Sequence, residues 1–153
     1  MLLTKVCKSF PDLTPFELYN ILRLRSEVFV VEQNCVFLDM DNKDQTCHHL
    51  MIYQSNQLAA CARLLAPGSY YDQMSIGRIV TSPAARGTGL GKELVATAIE
   101  ACFILFGVGP IKIGAQLYAK AFYERFGFVQ TSELYDEDGI DHIHMTKAEN
   151  QNS

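Results

Sequence analysis

The run Arg86-Gly87-Thr88-Gly89-Leu90-Gly91 is the part of this chain whose residue types and spacing most plainly serve chemistry. It follows the apolar stretch from Ser75 to Ser82 and the tripeptide Pro83-Ala84-Ala85. After it, Leu90, Leu94, Ala98, Ala101 and Leu105 recur at helical spacing, with Val95 and Cys102 beside them and Gly107 where a C-terminal cap belongs. A strand that hands a glycine-rich turn to a helix N-terminus gathers backbone N–H groups at the positive end of the helix dipole. That is an anion site, and most naturally a phosphate site. Gly87, Gly89 and Gly91 are read as letting the backbone take positive φ and approach the anion closely.

What the loop lacks narrows the ligand. A nucleoside triphosphatase loop carries Lys-Ser/Thr directly after its last glycine, whereas Gly91 is followed by Lys92-Glu93. A dinucleotide fold needs GxGxxG and an acidic strand end about 20 positions later, and neither stands here. The pattern that fits is Arg-x-x-Gly-x-Gly, at Arg86, Gly89 and Gly91. It resembles the pyrophosphate-binding motif of the GNAT superfamily of acetyl-CoA-dependent N-acyltransferases. Downstream, the stretch from Gln116 to Phe128, with Phe122-Tyr123-Glu124-Arg125-Phe126-Gly127-Phe128 at its end, is similar to the second GNAT signature. Upstream, Arg25, the segment from Val28 to Cys35, and then Phe37, Asp39, Asp41, Asp44 and His49 resemble one branch, the ElaA-like acetyltransferases. The stretch from Tyr135 to Ile143 is similar to that branch too, departing from it at Asp141, where the branch tends to have proline.

The resemblance implies the GNAT acyl-CoA N-acyltransferase fold, an α/β arrangement with a mixed central sheet of about six or seven strands flanked by helices. It implies that the strand before the glycines and the next one splay apart to admit the pantetheine arm of acetyl-CoA. Ile79, Val80 and Thr81 would then present backbone groups to it, with an N–H near Val80 for the thioester oxygen. Arg86, Gly87, Thr88, Gly89, Leu90 and Gly91 would hold the pyrophosphate, with Gln116 and Phe122 completing the cofactor site. Acetyl-CoA is the implied acyl donor and no metal is expected.

Amine acylation needs two proton movements. An alkylammonium, with a pKa of about 10.4, must lose a proton before it attacks, and the departing thiolate, at about 8.5, gains from protonation. Tyr123 matches the GNAT tyrosine that acts as general acid. Glu32 is the first candidate for the base, since it ends an apolar helical run where desolvation at a cleft rim would raise a carboxylate pKa. His49 is the second, and His142 and His144 share one face of the last strand. Glu32, Asp39, Asp41, Asp138 and Asp141 would form an acidic cleft for a cationic amine. An EF-type calcium loop is excluded by Lys43 and Leu50 at ligand positions.

The elements that must position these groups read in one continuous series, as one domain over residues 1–147 with a polar tail at 148–153. A strand is predicted from Leu2 to Lys8. Thr14-Pro15-Phe16-Glu17 is a capping box opening a helix through Val28. An irregular acidic segment runs from Asn34 to Thr46, followed by strands at 49–54 and 58–65, the motif strand and the long helix. A strand at 111–115, a helix near 118–126 and a final antiparallel pair, 128–135 with 140–146, close the chain. No apolar run approaches the ~20 residues of a membrane span, and the N-terminus lacks a signal-peptide pattern. Five scattered cysteines suit reduced thiols in the cytoplasm, and a net charge of −4 argues against nucleic acid. The reading is an acetyl-CoA-dependent N-acyltransferase acting on a primary amine of a small molecule or peptide by direct attack in a ternary complex. A non-catalytic acyl-CoA-binding module and a synthase-type GNAT relative using acylated carrier protein are the alternatives. The acceptor and the oligomeric state stay open, a homodimer included.

Overall fold

Thr14 opens the first helix as its sequence predicts. Its hydroxyl accepts the Glu17 backbone N–H at 3.1 Å, and the Glu17 carboxylate accepts the Thr14 N–H at 2.8 Å. The computed structural model describes residues 2–148, so the predicted polar tail lies outside the described residues beyond Ala148. In chain order the elements are β1 (Leu3–Ser9), α1 (Pro15–Arg25), β2 (His48–Gln54), β3 (Gln57–Leu65), β4 (Met74–Thr81), α2 (Leu90–Phe106), β5 (Ile111–Gln116), α3 (Lys120–Glu124), β6 (Phe128–Gln130), β7 (Tyr135–Glu137) and β8 (Ile140–Lys147).

All eight strands join one mixed sheet in the order β1-β2-β3-β4-β5-β8-β6, with β7 beside β6 on the free edge of β8. The predicted strand at 128–135 is therefore two short strands. Between them the chain detours so that the Thr131 N–H donates to the His144 carbonyl and the His144 N–H donates to Ser132 Oγ, at 2.9 and 2.8 Å. One face of the sheet packs on α2, where Leu94, Ala98 and Cys102 meet Ile113, Ile143 and Met145, all of them buried. Period-two alternation sends Gly114, His142 and His144 to the opposite face.

Two of the departures from regular geometry border the cleft described below. After Arg25 the helix widens into a π-helical turn, Ser26–Glu32, in which the Gln33 N–H reaches the Val28 carbonyl. Three valines in that turn crowd a tight α-helix. In β4 the pairing shifts between Arg63↔Gly77 and Cys61↔Val80, so Arg78 and Ile79 stand opposite Ala62 alone. This bulge puts Arg78 at φ 48°, a left-handed conformation that needs outside support.

That support comes from the acidic segment, which the sequence suggested would line an acidic cleft. Asp39 and Asp41 do not: together with Asp44 they pair with Arg25, Arg63 and Arg78 in a network of three carboxylates and three guanidinium groups. Arg25, 1% exposed, reaches Asp39 at 2.8 Å and Asp44 at 2.8 Å. Arg63 holds Asp41 at 2.6 Å, and Arg78 holds Asp39 at 2.8 Å. Burial pushes the Asp41 and Asp44 carboxyls up, but the guanidinium groups of Arg63 and Arg25 outweigh it and hold both below the usual carboxylate range. Their stabilisation is therefore complete above the unfolded aspartate pKa of about 3.9 and is lost as pH falls below it toward the folded values. We predict that the urea midpoint declines steeply between pH 4 and 2.5. A midpoint constant over that range would mean that the network contributes nothing to stability.

Candidate active site

Among the described residues the one parallel strand pair, β4–β5, is in register solely at Met74↔Ile111 and Ser75↔Lys112. Beyond Ser75 the two strands diverge, and the backbone groups on that edge of β4 have no strand partner. A cleft of about 640 Å³ occupies the divergence. Its walls are Ile76–Thr81 of β4, Gly114–Gln116 of β5, Val28, Phe29, Glu32 and Gln33 of the π-helical turn, and Tyr118, Ala119 and Tyr123 around α3. The floor on the other face is formed by Cys35, Phe37, Glu137, Asp138, Ile140 and His142.

Of the residues singled out for the cofactor, Ile79, Val80, Thr81, Arg86 and Gln116 line this cleft. Gly87, Thr88 and Gly89 lie exposed beyond its mouth, beside Arg86, at the start of α2. Gly87 and Gly89 have φ of 79° and 82°, the left-handed values that favour glycine. Gly91 does not: it is helical, and a Cβ there would meet the Phe122 ring at an ordinary 3.7 Å. The N–H groups of the first turn of α2 have no acceptor within the helix, which leaves them for an anion. Leu90 turns its side chain into the core. Phe122 packs against Tyr123 and Phe126, with ring centroids at 5.2 and 5.4 Å, and lies outside the cleft wall. Gln116 exchanges amide hydrogen bonds with Gln33 at 3.2 and 3.3 Å, tying the end of β5 to the π-helical turn.

The candidate acid and bases separate clearly. Tyr123 is half-buried, lines the cleft and packs its ring against Phe122 and Phe128. Burial pushes its phenol well above the ordinary value, with Tyr118 adding to the effect, so the hydroxyl stays protonated at neutral pH. Glu32 does reach the rim, but its environment is not the desolvated one that its sequence context suggested. Arg86 grips it in two hydrogen bonds of 2.5 and 2.6 Å and lowers its pKa, so the carboxylate is a poor proton acceptor. His49 is 1% exposed and lies away from the cleft, its Nε2–H donating to the Asp44 carbonyl at 2.9 Å. Burial lowers its pKa and keeps the ring neutral. His48 and His49 on β2 are separated from His142 and His144 on β8 by three intervening strands. Among the described residues no cluster of three or more metal-ligating side chains is found.

Several cleft residues are not singled out for a role by the sequence. Arg78 reads as one polar residue in an apolar strand, and only the bulge reveals that it braces the cleft from below. Tyr118 and Cys35 enter the wall through local turns. The Cys35 thiol donates to the Asp138 carbonyl at 3.1 Å and so pins the β7–β8 hairpin across the opening. A second basin of about 310 Å³ continues from the first past Phe37, Arg78, Gly114 and Glu137 to Tyr70 and Tyr71.

This geometry has close counterparts. The family model for the acetyltransferase (GNAT) domain matches residues 23–149. Protein ElaA of Escherichia coli K12 is 38% identical over 138 residues, spanning 89% of this chain and 90% of that protein. A solved acyl-CoA N-acyltransferase from Pseudomonas aeruginosa superposes with a TM-score of 0.92 at 46% identity, covering 96% of this chain and 100% of that one. The crystal structure of Escherichia coli ElaA superposes with a TM-score of 0.89 at 35% identity, covering 95% and 99%.

Proposed function

The chain belongs to the acetyltransferase (GNAT) family, in its ElaA-like branch, and from that premise we propose that it is a cytoplasmic N-acetyltransferase moving an acetyl group from acetyl-CoA to a primary amine of a small molecule or peptide. The reading rests above all on the divergence of β4 from β5 beneath a glycine loop that opens a helix. The pantetheine arm enters that divergence as an added strand along Ile79, Val80 and Thr81, and an N–H near Val80 takes the thioester oxygen. An oxyanion donor of this kind lowers the barrier by ~3 kcal/mol. The pyrophosphate sits at the first turn of α2 with Arg86, which must exchange its partner Glu32 for phosphate oxygens. The amine attacks directly, and Tyr123 protonates the departing sulfur.

The test is thermal unfolding with acetyl-CoA, with NAD and ATP as controls. At 100 times its Kd a ligand stabilises the folded state by ~2.7 kcal/mol, which raises the midpoint by several degrees in a domain of this size. We expect that shift with acetyl-CoA alone, followed by release of free thiol when a primary-amine acceptor is added. No shift with acetyl-CoA or with longer acyl-CoAs would remove the donor site, and with it this reading.

A further inference from the structure

His142 is a buried histidine, 7% exposed, on the cleft wall that faces away from α2. Its Nδ1 lies 2.8 Å from the Ile140 carbonyl oxygen. A carbonyl can only accept, so the hydrogen of the neutral ring resides on Nδ1 and the Nε2 lone pair is bare. The Glu137 carboxylate stands beside it, with Oε2 3.6 Å from Nε2. Two acceptors facing each other with no proton between them repel, and a donor bearing positive charge relieves the repulsion. A primary ammonium group supplies two N–H donors and the charge together. The Tyr135 ring packs beside the imidazole in a tilted contact, with centroids 5.8 Å apart, while pairing with Gln116 of β5 holds the backbone beneath.

Resting on the transferase reading above, we infer that the acceptor's ammonium group docks between His142 Nε2 and Glu137 Oε2, and that His142 is the general base of the reaction. The placement satisfies a requirement of the chemistry. Tyr123 packs with the cluster on the α2 side of the sheet, whereas His142 belongs to the opposite face. A carbonyl carbon held in the gap between β4 and β5 then meets its nucleophile from one side and loses its leaving group on the other. The ammonium gives one proton to His142 Nε2, which passes it to solvent, and the freed lone pair forms the C–N bond. The C–S bond breaks with sulfur taking the Tyr123 hydroxyl proton. The second N–H proton of the new amide nitrogen returns through water to the tyrosine oxygen, so the products are an amide, free CoA thiol and one released proton. The charged and titratable groups that share the cleft with His142 are Glu137 and Asp138 of the hairpin, Arg78 from β4, Tyr118 and Tyr123 around α3, the Cys35 thiol and the Glu32–Arg86 pair at the rim, with Tyr135 of β7 beside the ring. Its neighbour on β5, Gln116, is uncharged.

The tautomer is read directly in protein labelled with 15N-histidine. At high pH the His142 ring is expected to show a bare Nε2 and a protonated Nδ1. Adding propylamine hydrochloride should displace the Nε2 resonance, and tetramethylammonium chloride, which lacks N–H donors, should not. A proton on Nε2 in the neutral ring, or equal responses to the two salts, would overturn the docking. In kinetics, His142→Gln should retain the acetyl-CoA thermal shift of the unsubstituted protein while kcat falls about 10²-fold and the acid limb disappears from its pH profile. A kcat within about threefold of the unsubstituted enzyme would overturn the base assignment. Should the unsubstituted protein bind acetyl-CoA yet acylate none of a panel of alkylamines, polyamines, amino acids and peptides, the transferase reading fails instead. The spectra then still decide the ammonium site.

Discussion

Gly89→Asp weakens acetyl-CoA binding by about 10³-fold without unfolding the protein, measured by calorimetry beside a thermal melt. The size follows from placing a carboxylate where the pyrophosphate must sit. Two like charges roughly 5 Å apart at an effective dielectric of about 20 repel by about 3 kcal/mol, and a pyrophosphate presents more than one charge. The substitution also cancels the positive end of the α2 dipole. The fold survives because a Cβ at Gly89 meets nothing within 4 Å. Its left-handed conformation, at φ 82°, is one that Asp and Asn visit more readily than other residues. Gly89→Asn separates the two effects: it carries the same backbone strain with no charge, so its loss of affinity should be far smaller. If Gly89→Asp kept its Kd within tenfold of the parent, the loop would be a mere turn and the phosphate site would have to lie elsewhere.

The predicted loop, helix and strand at this position were legible because each depends on residues close in sequence. Gly87 and Gly89 supply the turn, the Leu90-Leu94-Ala98 spacing supplies the buried face, and Gly107 supplies the stop. The capping box at Thr14 was legible for the same reason. What stayed hidden depends on pairing across the chain. Asp39 and Asp41 read as part of an acidic cleft until Arg63, 22 positions from Asp41, and Arg78, 39 positions from Asp39, are folded onto them. The same remoteness conceals the bulge, since a Gly77-Arg78 pair in a strand says nothing about a left-handed arginine until Asp39 is there to hold it.

The candidate bases illustrate the limit most directly. Glu32 and His49 stand out on local grounds, a carboxylate closing an apolar helical run and a histidine opening a central strand. Their chemistry is decided by partners that no local pattern encodes: Arg86, 54 positions from Glu32, and the buried network around Asp44 that encloses His49. His142 carries the same alternation signal as His144. It is set apart only by the Ile140 carbonyl behind it and by Glu137 across the hairpin.

Tyr123→Phe lowers kcat by ~10²–10³-fold while the Kd for acetyl-CoA stays within about twofold of the parent. The thiolate leaving from CoA has a pKa near 8.5, so at neutral pH the collapse of the tetrahedral intermediate is favoured when sulfur is protonated as it departs. A phenol is suited to that task only if it enters the step protonated, and burial keeps the Tyr123 hydroxyl so. The same hydroxyl has no hydrogen-bond partner among the described residues, although its ring is fixed on both sides by Phe122 and Phe128. Tyr123 lines the cleft, and on the proposed reading the thioester sulfur in the β4–β5 gap would be the acceptor for its hydroxyl. Phenylalanine preserves the ring packing and removes only the oxygen, so a loss confined to kcat identifies proton donation, whereas a parallel loss of acetyl-CoA affinity would identify a binding contact. Turnover equal to that of the parent would transfer the proton to water and leave Tyr123 as part of the wall.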